Sequence, residues 1–217
     1  MVSTIYTFVQ LASTRLQRFK EIAELLETDV LKFKKLYEIR WLSLGRCLVT
    51  IIRNYEPLVV FLSQEAADGD PVAQGLYEQL TSYKYCGLLH LLADVVLVTN
   101  HLSKIFQFRD VCFNAVRSAL NDAKDTLEGF RNIAWTHLAE SLRQYELNGA
   151  YKNSVIVMNG RNCGLQQQQR QFENLRNQLI TDLINNLNRR FPQVDIIDAM
   201  KKSLSTGEQQ SDTMGCE

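Results

Sequence analysis

Proline is scarce in this chain of 217 residues, with only three in all, whereas Leu, Gln, Asn, Glu and Arg are plentiful. The 24 basic and 24 acidic side chains cancel, which argues against a strongly basic, histone-like nucleic-acid binder but leaves room for a local basic patch. Hydrophobic residues make up 46% and charged residues 22%, which excludes collagen, mucin and mostly disordered chains. The composition therefore predicts a soluble, helix-rich globular protein.

Paired cysteines, glycine-rich phosphate loops and long apolar runs are also lacking. The five cysteines are widely spaced without a CxxC pair, so we expect reduced thiols rather than a disulfide framework. Neither GxxxxGK[ST] nor GxGxxG occurs. Residues 1–12 carry no basic n-region of a signal peptide, and the most apolar run, residues 88–98, is too short to span a bilayer. We expect an intracellular protein with no membrane partner.

Apolar residues recur at spacings of three and four over most of the chain, which predicts an all-α fold. One long helix is expected over residues 5–26, Ser43 is expected to cap the helix that follows, and Asp70 with Pro71 marks the start of another. Tyr85 to about Phe108 is apolar nearly all round, which predicts a central buried helix. Roughly seven to nine helices are too many for a four-helix bundle, so we predict a multi-helix two-layer array.

The domain organisation is predicted from the turn signals. We expect one helical domain over residues 1–203, with a lead-in helix and basic segment (1–42), a helical core (43–146), a connector (147–164) and C-terminal helices (165–203). The connector contains a short β-branched run, residues 154–158, that indicates a strand or an extended link. Residues 204–217 are polar and lack periodicity, which predicts a disordered tail.

Cys86, His90 and Asp94 stand at successive spacings of four, so they lie along one face of the predicted central helix. Cysteine, histidine and carboxylate are all zinc ligands, but three on one helix need a distant fourth, such as His101 or Cys112. A buried helix with a hydrogen-bonded histidine and a capped or paired aspartate is the favoured interpretation, because the spacing lacks paired ligands. We therefore predict no metal site and no cofactor, with these three residues as weak candidates.

A basic segment lies between residues 32 and 46, where cationic side chains alternate with Phe33, Tyr37 and Trp41. The first sixty residues carry nine basic and six acidic groups, so the neutral total hides a local excess. Cations interleaved with aromatics suit phosphate contact combined with base stacking. A solvated basic face beside buried aromatics is the alternative. The basic residues of this segment are Lys32, Lys34, Lys35, Arg40 and Arg46.

The stretch Ile39-Arg40-Trp41-Leu42-Ser43 and the helices that follow it resemble the hAT superfamily of DNA transposases, with Ile39 where the family usually has Thr. Three further segments are similar to family helices: Ile5-Tyr6-x-Phe8, Leu91 to Gln107, and Arg189-Arg190-Phe191-Pro192. The resemblance covers roughly residues 1–203. It is closest to the transposase-derived zinc-finger proteins of animals, which carry a TTF-type or BED-type finger ahead of an hAT-like body.

The resemblance implies an RNase H-like nuclease core with two Asp and one Glu that bind metal. The blocks that hold those residues have no counterpart in this sequence, so the resemblance implies the all-helical insertion domain, no complete RNase H-like sheet and no enzyme. In the family, an Arg-Trp pair lies at the DNA and its Trp stacks near a flipped base, and Arg40 and Trp41 match that pair. A core-packing role for Trp41 is the alternative.

We therefore expect a non-catalytic fragment or domesticated derivative of an hAT-type transposase, nuclear or otherwise intracellular, that contacts DNA or chromatin through Arg40 and Trp41. Lys32, Lys34, Lys35 and Arg46 are the further DNA-contact candidates. The alternative is a helical protein-interaction scaffold without nucleic-acid binding, whose partners would dock on the amphipathic helix Phe172–Phe191.

Overall fold

The computed structural model describes residues 1–33, 35, 41–107, 113–133, 136–148, 150–155 and 165–192. Within those ranges the chain forms nine α-helices and one two-stranded antiparallel hairpin, so the predicted all-α class is confirmed. The helices are α1 (Val2–Gln10), α2 (Ser13–Leu25), α3 (Trp41–Arg53), α4 (Tyr55–Ala67), α5 (Pro71–Leu80), α6 (Tyr83–Ile105), α7 (Phe113–Gly129), α8 (Thr136–Asn148) and α9 (Leu165–Arg190). The strands are β1 (Ala150–Tyr151) and β2 (Ser154–Val155).

Helix α6 is the central element and carries two apolar stripes on opposite sides. Leu89, Ala93 and Val96 recur at helical spacing and belong to the first core, which α6 shares with α1 to α5. A second stripe faces α7, α8 and α9 in the second core: Leu91, Val95, Val98 and Leu102. The two stripes are the physical reason why the sequence of α6 is apolar nearly all round.

By length and composition, α6 is the one helix in the described ranges that could cross a membrane, with a mean hydropathy of 1.4 over an 18-residue window. That window is 56% buried inside the protein. A core helix covered from two sides has the same apolar composition, because it must satisfy two packing faces. The contacts of α6 with both cores therefore account for its hydropathy.

The helix predicted over residues 5–26 is divided in the structure. Helix α1 ends at Gln10, the next residue Leu11 is 68% exposed, and Ala12 is extended with φ −103° and ψ 113° before α2 begins. Ile5 of α1 and Phe19 of α2 are both fully buried in the first core. The prediction of one helix was wrong because the apolar spacing of three and four continues across the break.

Two arginines of α2 bind the end of α4 and the turn that follows it. Arg15 contacts Glu65 at 3.3 Å and Asp70 at 2.5 Å. Arg18 contacts Glu65 at 2.5 Å and Asp68 at 3.0 Å. The Glu65 side chain is only 7% exposed, and a buried carboxylate is tolerated where cationic donors surround it. The network fixes α2 against α4.

Helix starts were predicted with mixed success. Asp70 caps α5 as predicted: its Oδ1 accepts two backbone N–H groups of the first turn at 2.8 and 3.1 Å, and Pro71 is the first helical residue. The predicted cap at Ser43 is wrong, because α3 already begins at Trp41 and Ser43 lies in its first turn.

Two glycines allow close helix crossings. A Cβ on Gly45 of α3 would lie 2.8 Å from Cγ1 of Val96 on α6. A Cβ on Gly87 of α6 would lie 2.8 Å from Cε2 of Phe172 on α9. Real Cβ atoms do not approach other heavy atoms so closely, so these two positions set how near α3 and α9 come to the central helix.

Several expectations concern residues outside the described ranges. They are the disordered tail over 204–217, the part of the C-terminal helices after residue 192, and the candidate residues Lys34, Arg40 and Cys112. The hairpin β1–β2 falls in the predicted connector, and Ser154 and Val155 of the β-branched run form β2.

Candidate nucleic-acid interface

The structure describes the side chains of three of the six residues predicted to contact DNA. Lys32, Lys35 and Arg46 are exposed. Lys34 and Arg40 lie outside the described part of the chain. Trp41 is the first residue of α3, but its side chain lies outside the described part as well.

Lys32 is positioned by a buried amide next to α3. Asn54 is fully buried, and its Oδ1 accepts the Leu31 backbone N–H at 3.0 Å while its Nδ2 donates to the Leu31 carbonyl at 2.6 Å. On the other side of Lys32, the Phe33 ring is buried, with its centroid 5.3 Å from that of Phe19. These contacts hold both neighbours of Lys32 and leave its ammonium in solvent.

Two arginines lie on one face of α3. Arg46 and Arg53 are seven residues apart, which places them on the same side of the helix about 10 Å apart along its axis. Both are exposed, and neither guanidinium forms a hydrogen bond or ion pair with a described residue. Arg53 lies in the last turn, where a cation also interacts favourably with the helix dipole. The face is therefore open to an anionic partner.

A lysine from the hairpin reaches the same end of α3. The two residues between β1 and β2, Lys152 and Asn153, have φ values of 45° and 60°, as a tight two-residue hairpin turn requires. The Lys152 ammonium donates to the Ile52 carbonyl, and its backbone N–H donates to Oε1 of Gln144 at 3.1 Å. Burial lowers the pKa of Lys152 below its ordinary value.

We refer to Lys32, Arg46, Arg53 and Lys152 as the basic cluster. Three separate segments contribute to it: Lys152 donates to the carbonyl of Ile52, which precedes Arg53, and Leu31, the neighbour of Lys32, is hydrogen-bonded to Asn54. The carboxylate of Glu56 lies nearby, and its Oε1 accepts a hydrogen bond from Nδ2 of Asn153 at 2.9 Å. Sequence reasoning missed Arg53 and Lys152. The hairpin turn that presents Lys152 carries no Asn-Gly or Asp-Gly signal, and nothing in the sequence relates residue 152 to residue 52.

The weak metal candidates form other contacts. His90 is 1% exposed, and its Nδ1 lies 2.7 Å from the Cys86 carbonyl; a carbonyl only accepts, so Nδ1 carries the proton. Burial lowers the pKa of His90 to about 4 and raises the pKa of the Cys86 thiol to about 12. The pair is thus a neutral imidazole beside a neutral thiol, at 3.9 Å from Sγ to Nδ1. A protonated thiol is a poor nucleophile and a poor metal ligand.

Asp94 has partners outside that pair and caps α8. Its Oδ1 accepts the backbone N–H of His137 and its Oδ2 that of Leu138, both at 3.0 Å. These two residues are in the first turn of α8, where N–H groups have no partner within the helix. Among the residues that the structure describes, no group of three His, Cys, Asp or Glu side chains is arranged to hold a metal ion.

The amphipathic helix predicted over Phe172–Phe191 corresponds to α9. Phe172 and Ile180 are buried in the second core, and Leu183 and Leu187 are packed against it, so α6 and α7 cover most of the apolar stripe. Leu175 is 39% exposed. The face on which a scaffold function would depend is therefore largely used within the chain.

No family model and no solved structure matches this chain at a significant level. The resemblance to hAT transposases therefore stays a prediction from the sequence motifs, of which Arg40-Trp41 includes the first residue of α3 and Leu91 to Gln107 covers most of α6. The structure adds the position of the basic cluster around the other end of α3.

Proposed function

We propose that the chain is a non-catalytic fragment or domesticated derivative of an hAT-type transposase, and that it contacts DNA through the basic cluster and through the Arg40–Trp41 segment. The basic cluster is the observation that carries the DNA contact, because three exposed cations and the half-buried Lys152, from separate segments, lie on or beside one helix. The sequence motifs support the transposase origin and a nuclear or otherwise intracellular location.

The electrostatics of the cluster suit a phosphate backbone. Lys32, Arg46 and Arg53 have no acidic partner among the described residues, so phosphates would replace only water and small ions around them. Trp41 begins the same helix, about 7.5 Å along the axis from Arg46. As the resemblance to hAT transposases implies, Trp41 would supply the aromatic ring on which an extruded base stacks, and the cluster would contact phosphates.

The test is DNA binding measured against salt by fluorescence anisotropy, with labelled hairpin and single-stranded oligonucleotides. The double variant Lys32→Gln/Arg46→Gln should bind the single strand more weakly, and the slope of log affinity against log salt should fall by about 1.4, or about 0.7 for each lost phosphate contact. No salt-sensitive binding by the wild-type chain would end the DNA proposal.

Lys20→Gln is the matched control. Lys20 is exposed on α2, outside the cluster, and its side chain has no hydrogen bond or ion pair with the described residues. Lys20→Gln removes one positive charge, as each single cluster variant does, so a general effect of net charge would weaken DNA binding equally in both. Equal losses in the control and in each single cluster variant would contradict a localised interface. Circular dichroism establishes that every variant is folded.

A further inference from the structure

The surface between the hairpin, the end of α3 and the start of α4 contains a cavity of about 570 Å³. Small-ligand sites commonly have volumes of roughly 300–1,000 Å³. The lining includes two cations, Arg53 and Lys152, and one anion, Glu56, together with the polar side chains of Gln144 and Asn153. The cavity is thus polar and carries a surplus of positive charge.

The polar side chains that line this cavity differ in how many of their hydrogen bonds are already formed within the protein. Gln144 accepts the Lys152 backbone N–H and donates to Glu140 at 2.7 Å, and Asn153 donates to Glu56. In contrast, the Arg53 guanidinium has all its donors free of described partners. The Lys152 ammonium has three protons and gives one to the Ile52 carbonyl. Two cations with spare donors therefore face one open space.

The hairpin turn holds one of these cations in advance of any ligand. Lys152 adopts the left-handed φ of 45°, which costs a non-glycine residue about 1–2 kcal/mol in general. Its bonds to Gln144 and to the end of α3 maintain that conformation. Burial disfavours the charged form of the Lys152 side chain and lowers its pKa, and a bound anion would reverse that effect.

We infer that this cavity binds a phosphate group between the Arg53 guanidinium and the Lys152 ammonium. An arginine matches two phosphate oxygens with its planar fork, and a lysine adds a compact point charge. The inference rests on the proposed function where the phosphate belongs to a DNA backbone. A free phosphate is the other source of the same chemistry, and the experiment separates the two.

In the first arm, the folded chain is titrated with inorganic phosphate at constant ionic strength. Calorimetry measures the binding, and amide chemical shifts show which residues respond. The wild-type chain should show saturable binding, with shifts at Gln144, Lys152 and Asn153. Arg53→Gln and Lys152→Gln should each weaken it by about ten- to a hundredfold, the loss expected for a charge-assisted hydrogen bond. Arg53→Lys should keep part of the affinity, and the control Lys20→Gln all of it.

The second arm repeats the DNA measurement with the same variants. A parallel loss of phosphate and DNA affinity supports the site and assigns it to the DNA backbone. A loss of phosphate affinity with unchanged or absent DNA binding supports the site with free phosphate as its ligand. No saturable phosphate binding by the wild-type chain, or equal binding by Arg53→Gln, overturns the inference, even where DNA still binds through Lys32 and Arg46.

Discussion

Replacing Asp94 with alanine tests how the start of α8 is held. The carboxylate is 1% exposed and accepts the backbone N–H groups of His137 and Leu138, both at 3.0 Å. Alanine removes both acceptors and leaves two N–H groups at the α6–α8 contact without a partner. Water reaches the Leu138 amide poorly, because that hydrogen bond is buried.

The magnitude follows from two contributions. Loss of a helix cap costs roughly 0.5–2 kcal/mol, and a donor left buried and unsatisfied costs roughly 1–3 kcal/mol. We expect Asp94→Ala to lower the free energy of unfolding by about 2–4 kcal/mol, which lowers the melting temperature by about 5–15 °C in a protein of this size. Asp94→Asn keeps one acceptor oxygen but turns its amide N–H₂ toward the other backbone N–H, so it should recover only part of the stability lost in Asp94→Ala.

Urea unfolding followed by far-UV circular dichroism measures these differences. Asp125→Ala is the matched control, because it removes an exposed carboxylate of α7 and should change stability by less than about 0.5 kcal/mol. An Asp94→Ala variant as stable as that control would refute the capping role. Stabilisation of the wild-type chain by zinc that is lost in Asp94→Ala would instead show that Asp94 is a metal ligand.

Three further changes have defined outcomes. Burial lowers the pKa of His90 from 6.5 to about 4, so the unfolded chain binds the proton more readily than the folded one. The contribution of His90 to the free energy of unfolding should therefore fall by up to about 3 kcal/mol as the pH drops from 6.5 to 4, and urea unfolding of His90→Gln should lack this contribution. Gly87→Ala should destabilise the protein by about 1–3 kcal/mol, because the new Cβ meets the buried Phe172 ring. The control Gly75→Ala places its Cβ in open space and should be neutral or stabilising by up to about 1 kcal/mol, so equal melting temperatures for the two variants would contradict the close crossing of α6 and α9. Trp41→Ala should weaken hairpin-DNA binding about five- to a hundredfold through lost stacking, and unchanged affinity in the anisotropy assay would argue for a packing role.

The sequence predicted the helices where local signals are strong. Asp70 and Pro71 marked the start of α5, and the apolar stripes indicated α6 and α9 before any contact was known. The break at Leu11 was not predictable from spacing, because the apolar positions of α1 and α2 stay in phase across it. Periodicity reports which residues share a face and gives little information on where the axis bends.

The candidate interface was predicted only in part, for a different reason. Lys32 and Arg46 were found because basic and aromatic residues are close in sequence. Lys152 joins them through a hydrogen bond to Ile52, a hundred residues earlier, and a contact at that separation depends on the tertiary fold. The spacing of Asp94 from His90 indicated a common face, but the backbone of α8 that packs beside Asp94 determines what its carboxylate binds.

The position of α6 between two cores has a consequence for how the chain unfolds. Its two stripes belong to different cores, so neither group of helices can separate from α6 without exposing apolar surface on it. Melting of one half would thus remove the support of the other. We expect a single cooperative transition in calorimetry, with equal calorimetric and van't Hoff enthalpies, from a chain whose size would also allow two independently folding units.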